Sequence, residues 1–176
     1  MQKLFLRALL FYPIFLANNS YAADSTYFFK EANIKINVPN SVWHLQPSQE
    51  KNSYIIYSFK RDPIVDSLDR SIIPNIAVII EKVSPKTDVV TYSINKRTKM
   101  NIHVEQTFVE GDGIINFINA VGYKGSYVDG NHLKHIVYVV HAINGDKGIQ
   151  LILDTTSDTF LLVNPDFLSV LESFRK

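Results

Sequence analysis

The chain contains no cysteine. That absence excludes disulfides, cysteine catalysis and lipid attachment through a thioether. Glycine and proline are sparse, seven of each in 176 residues, and no low-complexity stretch or internal repeat occurs. An excess of either charge is also lacking, with 18 basic residues against 17 acidic. A near-neutral chain has no global attraction to nucleic acid or anionic lipid, so nucleic-acid binding is not expected. Beyond residue 22 no apolar run is long enough to cross a bilayer as a helix.

What is present begins with MQKLFLRALLFYPIFLANNSYA. Lys3 and Arg7 form a cationic start, Ala8 to Leu16 an apolar stretch, and Ser20-Tyr21-Ala22 the small residues a signal peptidase reads. Residues 1–22 are read as a secretory signal peptide cleaved after Ala22, since the apolar stretch is short and interrupted by Pro13. The remaining chain, residues 23–176, has the length of one domain and must be held together by its core alone. The expected product is exported, periplasmic or secreted, with no membrane span after cleavage.

Alternating Ile34-Lys35-Ile36-Asn37-Val38 predicts a half-buried strand, and Tyr27-Phe28-Phe29 an extended segment before it. Residues 53–59 and 76–83 read as strands apolar on both faces at Ile55-Ile56 and Ile79-Ile80, hence interior and covered. Residues 84–100 read as a helix capped by Ser84 or Thr87, with Val90, Ile94 and Arg97 on one face and Val89 and Tyr92 beside it. Strands follow at 103–109, 114–128, 132–143 and 149–155, the last three joined into a meander by Asp129-Gly130 and Asn144-Gly145 turns. A closing helix is expected with Asn164 as cap, Pro165 as its first residue, and Phe167, Leu171 and Phe174 on its inner face. The fold class predicted is α+β: a mainly antiparallel sheet of about seven strands with helices on both sides.

Chemistry-bearing residues are few in kind. HLKHIVYVVH, residues 132–141, holds three of the five histidines. His135 and His141 share a strand face but stand about 20 Å apart at ~3.3 Å per residue, too far to bind one metal ion. No cysteine or carboxylate completes a ligand set with them or with His103, so no metal site is predicted. Asp62 with Asp66 or Asp69 is the available carboxylate pair, but Arg61 and Arg70 are near enough to neutralise it. Gly122-Tyr123-Lys124-Gly125-Ser126 lacks the spacing of a nucleophile elbow and reads as a bulge or a close approach to Trp43 or a helix. Glu110-Gly111-Asp112-Gly113 lacks the ligands of a phosphate or calcium loop and reads as a turn. Lys96, Arg97 and Lys99 complement the negative end of their helix. No catalytic residue and no cofactor are therefore expected.

Binding has a better candidate. KRDPIVDSLDRSIIP, residues 60–74, is a long segment without a clean period, and segments of this kind tend to be functional. Its apolar residues either fold back into the core or face a partner. The expected partner-binding set is Arg61, Ile64, Val65, Leu68 and Arg70. The alternative is a small-ligand pocket between sheet and helix, lined by Trp43, Tyr54, Tyr57 or Tyr123.

The order of elements adds a resemblance. A strand ends in Val38-Pro39-Asn40 with Trp43 three residues on, a helix follows the third long strand, and a meander precedes a helix carrying Phe167, Leu171, Ser173 and Phe174. This resembles the Mog1/PsbP-like α/β/α sandwich over most of residues 27–175, with residues 60–74 as an insertion. The resemblance implies an accessory subunit, adaptor or chaperone-like module docking on a larger assembly, here another periplasmic or envelope protein. Ion association is known for the photosystem relatives, but no matching motif carries it to residues of this chain.

Overall fold

In the computed structural model residues 24–39, 41–51 and 53–176 are described; the expected signal peptide and Asn40 lie outside them. The chain opens with a hairpin of β1 (Asp24–Phe29) and β2 (Ile34–Pro39). Strand β2 buries Ile34, Ile36 and Val38 and leaves Lys35 and Asn37 half-exposed, the alternation its sequence predicts.

The main sheet is antiparallel throughout. Its short strands are β3 (Trp43–Leu45) and β4 (Gln49–Lys51), both pairing with β5 (Tyr54–Arg61). A small separate hairpin follows, β6 (Ile64–Val65) with β7 (Ser71–Ile72). The chain then returns as β8 (Asn75–Lys82), crosses through helix α1 (Val89–Arg97), and continues as β9 (His103–Val109), β10 (Ala120–Val128), β11 (Lys134–Asn144) and β12 (Lys147–Thr156). Helix α2 (Phe160–Ser173) ends the fold. Seven strands run side by side in the order β3-β5-β8-β12-β11-β10-β9, with β4 next to β3 along the edge of β5. Both meander turns form where expected; Gly145 takes φ +62° in a two-residue turn, a conformation open to glycine.

One sheet face carries the core. Ile76 and Val78 of β8, Leu151 and Leu153 of β12, and Tyr138 and Val140 of β11 pack there. The β1–β2 hairpin covers them together with Val163, Phe167, Val170 and Leu171 of α2. The indole N–H of buried Trp43 donates to Asp166 at 2.9 Å, tying β3 to α2.

The opposite face meets α1. Tyr92 and Ser93 are its buried residues, whereas Val90 and Ile94, placed on one face with Arg97 by their spacing, are exposed. A Cβ on Gly148 would stand 2.6 Å from the Tyr92 ring, so bare backbone at that position lets the helix settle.

Other expectations need correction. Helix α1 starts at Val89, because Asp88 caps it by accepting the Thr91 N–H at 2.9 Å. Helix α2 starts at Phe160, a turn before the expected Asn164 cap. The Asn164 side chain is instead taken by the Tyr138 hydroxyl at 3.0 Å, and Pro165 sits inside the helix. The carbonyl left unpaired by that proline belongs to Leu161, which is open to water. The strand expected from 114 begins only at Ala120; before it Ile115 and Phe117 plug the core from an irregular segment that ends in left-handed Asn119. For glycines 122 and 125 the bulge alternative holds, while the close approach is to strand β9 rather than to Trp43 or a helix. A Cβ on Gly122 would land in the Phe108 ring, and a bulge separates Lys124 from Gly125.

Candidate functional site

Residues 60–74 are folded around one carboxylate. Asp66 accepts N–H groups from Leu68 at 2.9 Å and Arg70 at 3.0 Å, and the Arg70 guanidinium at 2.6 Å. Burial raises the Asp66 carboxyl, but these bonds outweigh it and hold the group below the usual carboxylate range. Arg70 also reaches Asp158 at 2.8 Å, in the turn that opens α2. The β6–β7 hairpin is thus fixed at its own tip and tied to the start of α2.

Of the five expected partner-binding residues, Val65 and Leu68 are displayed outward, each 66% exposed. Ile64 packs on the core, and neighbouring Ile72 is buried. Arg70 is held by its two carboxylates, and Arg61 lies half-buried with Nε 3.7 Å from Asp166. The turn tied by Arg70 leads into Leu161 and Leu162, which are 83% and 66% exposed. Sequence reasoning missed this leucine pair because it placed the start of α2 after them.

The carboxylate pair does not assemble. Asp62 bonds His44 at 2.8 Å, while Asp66 is committed to Arg70. The four aromatics expected around a pocket do not line one cavity either. Trp43 is buried against α2, Tyr57 packs on Phe29, and Tyr123 lies beneath α1. Tyr54 borders a cleft of about 330 Å³ with Glu31, Glu50 and Lys147.

The histidines go to different surroundings. His141 is fully buried: its Nδ1 is 2.9 Å from Ser93 Oγ, which is 2.7 Å from the Tyr123 hydroxyl. This serine–histidine pair is sealed from solvent on both members, so no substrate reaches it. Its signal in the sequence was absent because the partners are 48 positions apart. His135 instead joins a polar cluster at the far end of the same face. Its Nδ1 is 3.1 Å from Asp154, its ring stacks on Tyr127 at 4.7 Å, and its Nε2 is 3.6 Å from Asp129. Tyr127 donates to Asp154 at 2.9 Å. Burial raises the Asp154 carboxyl, and burial with the Asp154 charge raises the Tyr127 phenol. Among the described residues no three such side chains are placed to hold a metal ion.

Between these two clusters the sheet face is open. Ala77, Ile152, Val137 and Val139 form the floor of a groove of about 340 Å³, walled by Met100 and Ile102 and ended by Asp154.

With this geometry the chain can be compared with known proteins. The crystal structure of LpqN, involved in cell envelope biogenesis of Mycobacterium tuberculosis, superposes with a TM-score of 0.58 at 14% identity, covering 87% of this chain and 90% of that one. The solution structure of cyanobacterial PsbP (CyanoP) from Synechocystis sp. PCC 6803 superposes at 0.50 with 16% identity, covering 89% and 94%. The fold is Mog1/PsbP-like. Neither a family model nor a curated protein sequence matches the chain. At these identities the Mog1/PsbP-like likeness concerns architecture alone, and the surfaces above must be read from their own chemistry. Among the described residues no helix is long and apolar enough to cross a membrane.

Proposed function

We propose that the chain is a non-enzymatic, exported accessory protein of one domain, residues 23–176, that docks on another envelope protein through the β6–β7 hairpin and the first turn of α2. One observation carries the reading: a hairpin braced by Asp66 and Arg70 displays Val65 and Leu68, and its brace is anchored where Leu161 and Leu162 emerge. Exposed apolar side chains on a pre-ordered support bind without a large ordering cost. The signal-like leader supports export, and LpqN, similar in fold, is described as involved in cell envelope biogenesis. The sealed serine–histidine pair and the dispersed carboxylates support a role without catalysis.

A photo-crosslinking residue placed at Leu68 or Leu161 of the full chain tests this in intact cells. The same discrete envelope adduct is expected from both positions, none from exposed Lys86, and a weaker one when Arg70→Ala loosens the brace. Free monomer alone, or equal adducts from Lys86, would refute docking at this surface. A second reading, a small-ligand carrier, is favoured by the groove on the α1 side.

A further inference from the structure

The groove lies along rows of paired residues that cross the sheet. Ala77 pairs with Ile152 and Ile152 with Val139; one row on, Asn75 pairs with Asp154 and Asp154 with Val137. Side chains of paired residues share a face, so these six floor a strip across three strands. The strip continues onto Gly125 of β10, opposite Val137. Ile102 occupies the room that glycine leaves, its Cγ2 2.7 Å from where a Cβ would stand. That brings residues 100–102 down over the strip as one wall. Met100 in this wall is an adaptable apolar side chain.

The electrostatics of the strip are one-sided. Asp154 is the single charged side chain lining the groove, accompanied by neutral Asn75, Asn101 and Tyr127. Asp129 adds a second carboxylate behind it, across His135. Lys60 pairs with Asn75 in the same row, but it is exposed and makes no ion pair with Asp154. Two donors reach the Asp154 carboxylate, the Tyr127 hydroxyl and His135 Nδ1. A carboxylate offers about four acceptor positions, so capacity remains for a third donor. Burial opposes its ionisation, and a cation arriving from the groove would relieve that opposition.

We infer that this groove is a binding site for a small amphipathic primary amine, with its apolar body on half-exposed Ala77 and Ile152 beside buried Val137 and Val139, and its ammonium on Asp154. The volume of about 340 Å³ suits a compact ligand with one apolar body. The ammonium supplies up to three donors to an acceptor partly removed from water, where a charge-assisted bond is strongest. An anionic head would meet Asp154 with Asp129 behind it, and a neutral hydroxyl would add no positive charge to what His135 already brings to the carboxylate. This inference rests on the carrier reading and adds the chemistry of the head group; it does not involve the docking hairpin.

Amide NMR titration of the purified chain with 2-phenylethylamine, 3-phenylpropanol and 3-phenylpropionate tests it. Saturable shifts at Val137, Val139, Ile152 and Ile102 are expected with the amine, and binding at least about ten-fold weaker for the alcohol and the carboxylate. Asp154→Asn keeps the shape and should bring the amine down to the affinity of the alcohol. Ala77→Phe fills the floor and should abolish all three. If Asp154→Asn fails to fold, the selectivity of the unaltered chain decides. Equal binding of all three probes would overturn the amine inference and leave a carrier standing; no saturable shift in the groove would overturn both.

Discussion

Replacing Tyr92 with alanine should release α1 from the sheet while the sheet stays folded. The helix has nine residues, too few to persist alone in water. Of its side chains, Tyr92 and Ser93 are buried. The Tyr92 ring lies over Gly148 and edge-on to His141 at 5.8 Å, and its hydroxyl donates to Glu81 at 2.7 Å. Truncating a buried aromatic costs about 3–5 kcal/mol. What remains is the hydrogen-bonding of Ser93, about 1 kcal/mol net per bond, and a partly exposed Lys96–Glu81 pair contributing about 1 kcal/mol or less. Those terms do not offset the cost of ordering nine residues, at roughly 1–2 kcal/mol each for the backbone. Amide hydrogen exchange checks the outcome: residues 89–97 should lose protection in Tyr92→Ala while β11 and β12 keep theirs. Tyr92→Phe should cost only about 1 kcal/mol, because Glu81 retains Lys96 and Gln150. Wild-type protection of α1 in the alanine variant, or loss of protection across the whole sheet, would refute this account of how α1 is anchored.

Two further outcomes follow from buried positions. Gly122→Ala puts a methyl into the Phe108 ring and should destabilise the protein by about 1–3 kcal/mol, partly recovered by adding Phe108→Leu; a urea midpoint matching wild type would contradict the packing of β9 on β10. His141 is pushed from its ordinary 6.5 down to about 4, by burial first and by the Lys96 cation second, against the opposing Glu81 carboxylate. The unfolded chain therefore takes up a proton that the folded chain refuses, and stability falls as pH drops from about 6.5 to about 4, by up to about 3 kcal/mol. Asp154, raised by burial, gives a slope of the opposite sign. It does so equally in a His141→Gln variant, so the difference between the two urea-midpoint profiles isolates the histidine. Parallel profiles would exclude the buried neutral imidazole.

The parts of the fold legible in the sequence were those set by neighbours along the chain. Alternation in β2, and the Asp129-Gly130 and Asn144-Gly145 turns, report local geometry, and they stand where expected. The start of α2 did not, because a tyrosine 26 positions away removes Asn164 from capping. Which face of α1 turns inward was not legible either: spacing groups Val90, Ile94 and Arg97, but the small space over Gly148 selects Tyr92 from beside them. In segment 60–74 the sequence showed apolar residues among charges. It did not show that Asp66 and Arg70 would turn two of them outward, which depends on Asp158, 88 positions beyond Arg70. The groove was invisible for the same reason, since its floor comes from three strands and its wall from the chain leaving α1.

That the α1 face stays partly open follows from lengths. Seven strands at about 4.8 Å spacing make a sheet about 29 Å wide. A nine-residue helix is about 13 Å long and about 10 Å across, so it shields less than half of that width in any orientation. The other face has the 14-residue α2 and the β1–β2 hairpin, and between them they bury every core side chain beneath. Ile56, Ala77, Ile79 and Ile152 remain half-exposed on the α1 side. A chain using that face only as the back of its core would gain from polar residues there, as antiparallel sheets with one wet face normally carry. An apolar strip of Ala77, Val137, Val139 and Ile152, with Asp154 at its end, fits a surface on which something lies. Position along the strands says where: α1 sits over Glu81, Gly148 and His141, and the open part is the other end of β8, β12 and β11, at Ala77, Ile152 and Val137.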